Sequence, residues 1–329
     1  MGRNDLAKNS EKKVIAMTMG DPCGIGPEIT VKTLADKNIH SKCRPILIGD
    51  ADILEQAAEK IGIKHFMGKY ADYIYHVPCN GKITTETAGK VCDFAGRAAY
   101  DCIKISHQLC SQGKADSVAT APINKEALKA AGVPYIGHTE IYAAFTNTKD
   151  PLTMFETKGL RVFFLTRHLS LSGAISAITG EKIKDYIIRC TEALDKIGAP
   201  SGTLAVAGLN PHSGEHGLFG NEEVEIISPA VEEMKGIGYG VEGPVSADSV
   251  FYQAYMGKYR AVLSLYHDQG HIATKTLDFE RTIAVTHSMP YLRTSVDHGT
   301  AFDIAWTGKA SNVSMVEAVL LAAKYSYKK

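Results

Sequence analysis

The sequence predicts an α/β protein in two lobes, and three observations carry that expectation. Short β-branched runs alternate with longer segments whose apolar residues recur every three or four positions, the pattern of strands and helices around a largely parallel sheet in each lobe. The chain has 329 residues, beyond the ~250 to 300 at which single cores stop growing. Its composition, 45% hydrophobic and 22% charged, is that of an ordinary globular protein.

Six runs read as buried strands: Lys13 to Met19, Pro45 to Ile48, Ser117 to Thr120, Arg161 to Leu165, Thr203 to Ala207 and Ala261 to Leu265. Helical periodicity marks Gly26 to Asp36, Asp52 to Ile61, Thr87 to Gln112, Glu181 to Ile197, Glu222 to Ile237 and Val313 to Tyr327. Residues 1–130 with 280–329 are expected to form a first lobe carrying the cofactor-binding segment. Residues 131–279 form a second, with metal-binding and dimer-forming elements, and the chemistry belongs in the cleft between the two.

Composition excludes several classes of partner. Thirty-six Lys and Arg balance 36 Asp and Glu, so neither a nucleic acid nor an anionic membrane has a basic footprint to meet. No run of eighteen apolar residues exists, the start MGRNDLAKNSEKK is polar, and Leu6 breaks the myristoylation pattern. Seven cysteines, odd in number and without C-x-x-C spacing, read as reduced, buried small hydrophobes of a cytoplasmic protein. Small-molecule chemistry remains.

The usual cofactor and nucleophile signatures fail. After the first strand comes Gly20-Asp21-Pro22-Cys23-Gly24-Ile25-Gly26-Pro27-Glu28, and Ile29 stands where the third glycine of G-x-G-x-x-G belongs. Neither a phosphate loop of Walker type, nor G-x-S-x-G, nor H-E-x-x-H is present.

Histidines instead concentrate at predicted strand ends, where α/β sites form. One strand runs into Thr166-Arg167-His168, another into Asn210-Pro211-His212-Ser213-Gly214, a third into Tyr266-His267-Asp268-Gln269-Gly270-His271. His168, His212 and His267 are therefore candidate ligands of a borderline divalent ion, with packing histidines as the alternative. His216 and His271 also lie four residues from their neighbours, but Gly214 and Gly270 argue for loops, so both are set aside.

A second constellation is cationic. Lys275, Arg293 and the segment His138-Thr139-Glu140 opening a helix are the groups that grip a phosphate or carboxylate. A third, Asp297-His298-Gly299-Thr300-Ala301-Phe302-Asp303, combines a glycine for close backbone approach with Asp303 for ribose hydroxyls, although a capped helix start accounts for it as well.

On these residues the chain resembles the 4-hydroxythreonine-4-phosphate dehydrogenase (PdxA) family. The strings are GDPCGIGPEIT (20–30), TAPINKEALKAAGVPYIGHTE (120–140), AGLNPHSGEHGLFGNEE (207–223), GPVSADSVF (243–251), YHDQGH (266–271) and RTSVDHGTAFDIA (293–305). The first and last also look like the isocitrate and isopropylmalate dehydrogenase group, which binds NAD without the Rossmann fingerprint. The resemblance implies a homodimer of two-lobed α/β/α subunits with a shared site. Its metal ligands match His168, His212 and His267, one of them contributed across the dimer interface. Its substrate contacts match His138, Thr139, Lys275 and Arg293, and the cofactor segment falls on His298, Gly299, Thr300, Ala301 and Asp303.

Two departures leave the substrate open. Ala284 stands where the family carries a substrate-contacting asparagine, and His287-Ser288 replaces a Leu-Gly pair. The YHDQGHI variant looks like paralogues that oxidise D-threonate or D-erythronate 4-phosphate. The expected chemistry is NAD-dependent oxidation and decarboxylation of a 4-phosphorylated 3-hydroxy acid, with zinc, cobalt, nickel, manganese or magnesium as electrophile. Asp248, Asp268 and Lys275 are the general-base candidates. A metal-dependent phosphatase and a non-catalytic binder of phosphorylated sugar acids are the rival readings.

Overall fold

The computed structural model describes residues 12–327; most of the polar start, including Leu6, lies outside them. The first strands are β1 (Val14–Thr18), β2 (Arg44–Gly49), β3 (Ile74–His76) and β4 (Ser117–Thr120). Next come β5 (Thr153–Thr157), β6 (Leu160–Phe164), β7 (Leu204–Ala207), β8 (Val241–Val245), β9 (Ala261–Ser264), β10 (Ile283–Thr286) and β11 (Leu292–Val296). All six expected strands are present within a residue or two, and five further strands join them.

The contacts divide the described chain into two compact units, one running through Pro151 and resuming at Ser288–Tyr327, the other Leu152–His287. Both boundaries differ from the expected ones. Residues 131–151 belong to the first unit because the helix His138–Thr146 buries Ile141 and Tyr142 in a core shared with Ile103 and Val118. Residues 280–287 belong to the second because β10 pairs with β5.

In the first unit the strand order is β3-β2-β1-β4-β11, parallel throughout. Its inner strands β1, β4 and β11 are buried on both faces, as parallel sheets require, while the edge strand β3 is largely exposed. Two of its helices start where the sequence supplies caps: Asp50 accepts the Asp52 and Ile53 amides to open Ala51–Lys60, and Asn124 accepts Ala127 N–H to open Lys125–Ala130. The helix expected from Thr87 begins only at Asp93. Gly89, at φ +71°, turns the chain first, and a Cβ there would stand 2.5 Å from the Phe302 carbonyl oxygen.

The second unit is mixed, not largely parallel. Its order is β10-β5-β6-β9-β7-β8, with β5 antiparallel to both β10 and β6 and the rest parallel. Its core gathers Phe155, Val162, Phe164, Val250 and Val262. The helix Gly180–Lys196 opens on a Thr179 cap, while the stretch predicted as Glu222 to Ile237 forms a π turn (Glu223–Ile227) followed by the α-helix Ser228–Gly236. All seven cysteines are free; five are buried, as expected, but Cys79 and Cys92 are half-exposed. No helix among the described residues is long and apolar enough to cross a membrane.

Candidate functional site

In the second unit, β6 and β9 run side by side and deliver one histidine each from their carboxyl ends. Leu165 N–H donates to the Ser264 carbonyl at 2.8 Å, and Thr166 Oγ1 donates to the Leu265 carbonyl at 2.8 Å, so the two exits are held in register. The chain then enters the helix His267–Leu277. Gln269 locks this start: its Oε1 accepts Leu265 N–H at 2.7 Å and its Nε2 donates to the Gly208 carbonyl at 2.7 Å, joining the end of β9 to that of β7.

The rings of His168 and His267 lie 6.3 Å apart and line one cavity of about 330 Å³ with Arg167, Tyr266 and Asp268. Asp268 Oδ1 sits 2.6 Å from His267 Nδ1. A carboxylate on one ring nitrogen fixes the imidazole's orientation and leaves the other nitrogen for a ligand. Arg167 donates to Thr153 Oγ1 and closes the wall.

The loop reading of Gly270 and His271 is overturned. Both are helical, and Gly270 is glycine because a Cβ would meet Phe164 Cε1 at 2.6 Å and Val162 Cγ1 at 2.8 Å. His267, His271 and Lys275 therefore follow each other at four-residue steps along one helical stripe. His271 is buried, stacked on Phe164 at 4.6 Å and 4.2 Å from the His267 ring. Burial, reinforced by His267 and Lys275, lowers its pKa to about 4. It is a neutral packing partner beneath His267.

His212 does not join the pair within one chain: among the described residues no three His, Cys, Asp or Glu side chains gather closely enough to hold a metal ion. It begins instead a run of five left-handed residues, His212 to His216, with φ between 42° and 77°. So Gly214 does mark a loop, as expected. The Glu223 carboxylate holds its base, accepting Leu209 N–H at 2.7 Å, Asn210 N–H at 2.6 Å and Asn210 Nδ2 at 2.8 Å. Glu222 adds one bond to Asn210 Nδ2 at 2.7 Å. Asp248 is exposed in the first turn of the helix Ala247–Tyr255.

The anion-binding candidates of the first unit converge. Arg293 lies on β11, 5% exposed; its Nε donates to Thr120 Oγ1 at 3.2 Å and its guanidinium stands 5.7 Å from the Tyr142 ring centre. Burial lowers its pKa to about 10, leaving it cationic at neutral pH. His138 and Thr139 open the helix His138–Thr146. The His138 Nε2 is buried without a hydrogen-bond partner, and burial followed by the Arg293 charge holds the ring well below its ordinary pKa. A fixed cation beside a neutral imidazole at a helix start is suited to an oxyanion.

Of the cofactor candidates, Thr300 packs against the glycine-rich loop that failed the Rossmann test. The Thr300 carbonyl accepts Ile25 N–H at 3.0 Å, and a Cβ on Gly24 would stand 2.8 Å from Thr300 Cβ. Ala301 is left-handed at φ 43°, His298 Nδ1 approaches the Gly299 carbonyl at 3.0 Å, and Asp303 is exposed. Sequence reasoning missed Glu28, which is buried and accepts Trp306 N–H at 2.8 Å and Gly308 N–H at 2.5 Å. It also missed Gln269 and Glu223, whose only signal was their place in two of the quoted strings.

Residues 41–322 match the family described as pyridoxal phosphate biosynthetic protein PdxA. A Clostridium botulinum protein provisionally named D-threonate 4-phosphate dehydrogenase is 56% identical over 97% of this chain and 98% of its own. One from Fusobacterium nucleatum with the same provisional name is 56% identical over 95% and 97%. The crystal structure of 4-hydroxythreonine-4-phosphate dehydrogenase from Klebsiella pneumoniae superposes with a TM-score of 0.85, at 39% identity, covering 97% of this chain and 99% of that one.

Proposed function

The chain belongs to the PdxA family and is a dehydrogenase; from that premise we propose that it oxidises and decarboxylates D-threonate 4-phosphate or its D-erythronate epimer, using NAD and a divalent metal. The observation that carries the phosphate in this reading is Arg293, buried and cationic beside the unpartnered Nε2 of His138. The names of the C. botulinum and F. nucleatum relatives favour a hydroxy acid over 4-hydroxythreonine 4-phosphate. Ala284 in place of an amide side chain agrees with that choice.

Two imidazoles on one cavity, one oriented by a carboxylate, suit a divalent ion in part. His168 and His267 would hold it, with His212 supplied by a second copy of the chain. Such a homodimer is supported by the apolar groove in which Tyr252 and Ile272 stand 67% and 66% exposed. When bound, the ion would acidify the C3 hydroxyl, favouring the alkoxide whose electrons expel hydride to NAD, and would polarise the C3 carbonyl as the electron sink for loss of carbon dioxide.

The chain's own residues do the rest. Arg293 and His138, with Thr139, hold the phosphate; one charge-assisted contact contributes ~1.5 to 3 kcal/mol. Asp268 orients His267, which leaves Lys275 and Asp248 as candidates to take the hydroxyl proton, and Lys275 shares the stripe of His267. The resulting 3-keto acid has its ketone β to the carboxylate, so carbon dioxide departs, C2 of the enolate takes up the proton released from the C3 hydroxyl, and a phosphorylated three-carbon ketone remains.

The test is a panel of D-threonate, D-erythronate and 4-hydroxythreonine 4-phosphates with NAD and each divalent metal, following NADH absorbance and released carbon dioxide. Equimolar NADH and carbon dioxide from a hydroxy acid phosphate is the expected result. Release of inorganic phosphate without NADH would replace this reading with a hydrolase.

A further inference from the structure

The cavity of about 330 Å³ shared by His168 and His267 has more positive than negative charge to offer. Asp268 is the one carboxylate among its described lining residues, and it is taken up by His267 Nδ1 at 2.6 Å. Against it stand two imidazoles and the Arg167 guanidinium; Tyr266, Leu169, Leu171 and Ala174 add no charge. Arg167 is placed by the fold. Thr166, just before it, is buried and tied to the Leu265 carbonyl. The antiparallel register of β5 on β6, with Met154 opposite Phe163, brings Thr153 to the same end of the sheet. There Arg167 Nη1 donates to the Thr153 hydroxyl, and Thr153 is buried. Among the described residues Arg167 has no carboxylate partner, so most of its N–H donors are unspent. A half-buried guanidinium, fixed at one nitrogen and open at the others, is a preorganised fork for a planar carboxylate.

We propose that Arg167 seats the C1 carboxylate of the substrate and makes the cavity select a hydroxy acid over the 2-amino acid of the same skeleton. The inference rests on the reaction proposed above and adds the residue that reads its acid end, as Arg293 reads the phosphate. The selection is electrostatic. D-threonate 4-phosphate brings a carboxylate beside a neutral C2 hydroxyl, a singly negative head. 4-Hydroxythreonine 4-phosphate brings the same carboxylate beside a C2 ammonium, a head without net charge. A fixed guanidinium attracts the first and is opposed by the ammonium of the second, and both effects grow where apolar walls such as Leu169 and Leu171 displace water.

Calorimetric titration with divalent metal present and NAD absent reads this contact before any turnover. The probes are D-threonate 4-phosphate, 4-hydroxythreonine 4-phosphate and D-threitol 4-phosphate, which carries CH2OH in place of the carboxylate. Wild type should bind D-threonate 4-phosphate about tenfold or more tightly than D-threitol 4-phosphate, the effect of one charge-assisted contact. Arg167→Met should reduce that preference to about threefold or less, and should move the ratio of threonate to hydroxythreonine affinities about fivefold or more toward the amino acid. Arg167→Gln, which keeps a donor for Thr153, repeats the test should Arg167→Met fail to fold. A wild type without the preference for the carboxylate, or a preference that the variants retain, overturns the proposal. The reaction fails separately. NADH formation with ratios that the variants leave unchanged keeps the reaction and removes the carboxylate seat, whereas ratios that move, without NADH formation on any acid, keep the seat and remove the reaction.

Discussion

Glu223→Gln isolates what holds the His212 loop. Four of its five left-handed residues, His212, Ser213, Glu215 and His216, carry a Cβ, and each disfavours that conformation by roughly 1–2 kcal/mol, so the run stores about 4–8 kcal/mol. The Glu223 carboxylate opposes that tendency with three bonds of 2.6 to 2.8 Å to Leu209 and Asn210. Glutamine keeps one acceptor oxygen in place of two and brings an amide donor against the Asn210 amide. One charge-assisted bond is lost, worth ~1.5 to 3 kcal/mol, and two more become neutral, for a total on the order of 3 kcal/mol. Hydrogen exchange at the Leu209 and Asn210 amides should therefore accelerate roughly 100-fold, and divalent-metal affinity should fall by about 10- to 100-fold, as for other groups that orient a ligand. Glu222→Gln, which removes one half-exposed contact, should change exchange by less than tenfold. Mass-spectrometric exchange over residues 208–220, with calorimetric metal titration, reads both. Identical protection in Glu223→Gln and wild type would refute the claim that this carboxylate sets the loop.

Other expectations follow from single contacts. Arg293→Met should raise the KM for the phosphorylated acid by about 10- to 100-fold while leaving weak turnover of a dephosphorylated analogue unchanged; equal loss on both, by steady-state kinetics, would count against the phosphate role. His212→Ala should abolish metal-stimulated turnover with each metal at saturation, and near-normal activity would remove His212 from the mechanism. Asp21 is fully buried and burial raises its pKa from 3.8 to about 6, so the folded state holds its proton more tightly than the unfolded one. Its contribution to stability is complete below pH 4 and is lost as pH rises to about 6, by an amount on the order of 3 kcal/mol. Urea unfolding of wild type and Asp21→Asn should diverge across that window, and parallel curves would contradict the assignment. Gly270→Ala should lower stability by ~1–3 kcal/mol through overlap with Phe164 and Val162, measured as a shift in the denaturation midpoint.

The apolar strands and most helices were legible because their patterns are local. β11 was not, since Arg293 and Thr294 are buried polar residues satisfied from outside the strand, as when Thr294 Oγ1 donates to the Ala318 carbonyl at 2.8 Å. β5 hid for the same reason: its buried Glu156 faces Arg161 of β6 at 3.4 Å. In β8, Gly243-Pro244 interrupts the apolar run. Gly270 misled because a glycine demanded by close packing looks the same in sequence as one demanded by a turn. At the site, His168 and His267 were legible from strand ends and are brought together. His212 was legible as a loop residue, but no property of one chain brings it to the pair. Glu28 acts through bonds to backbone some 280 residues away, and Glu223 and Gln269 act through bonds that tie separate loops together, which spacing does not reveal.

The discontinuity of the first unit has a consequence for synthesis on the ribosome. β11 lies beside β4, and the helix Val313–Tyr325 packs on that side of the sheet through Thr294, so the amino-terminal strands emerge long before their last neighbours exist. Leu152–His287, by contrast, is one uninterrupted stretch and leaves the exit tunnel with every strand it needs. It is the part able to close first, and the earlier-made segment must wait, its β4 edge uncovered, until β11 and the helix Val313–Tyr325 have been made.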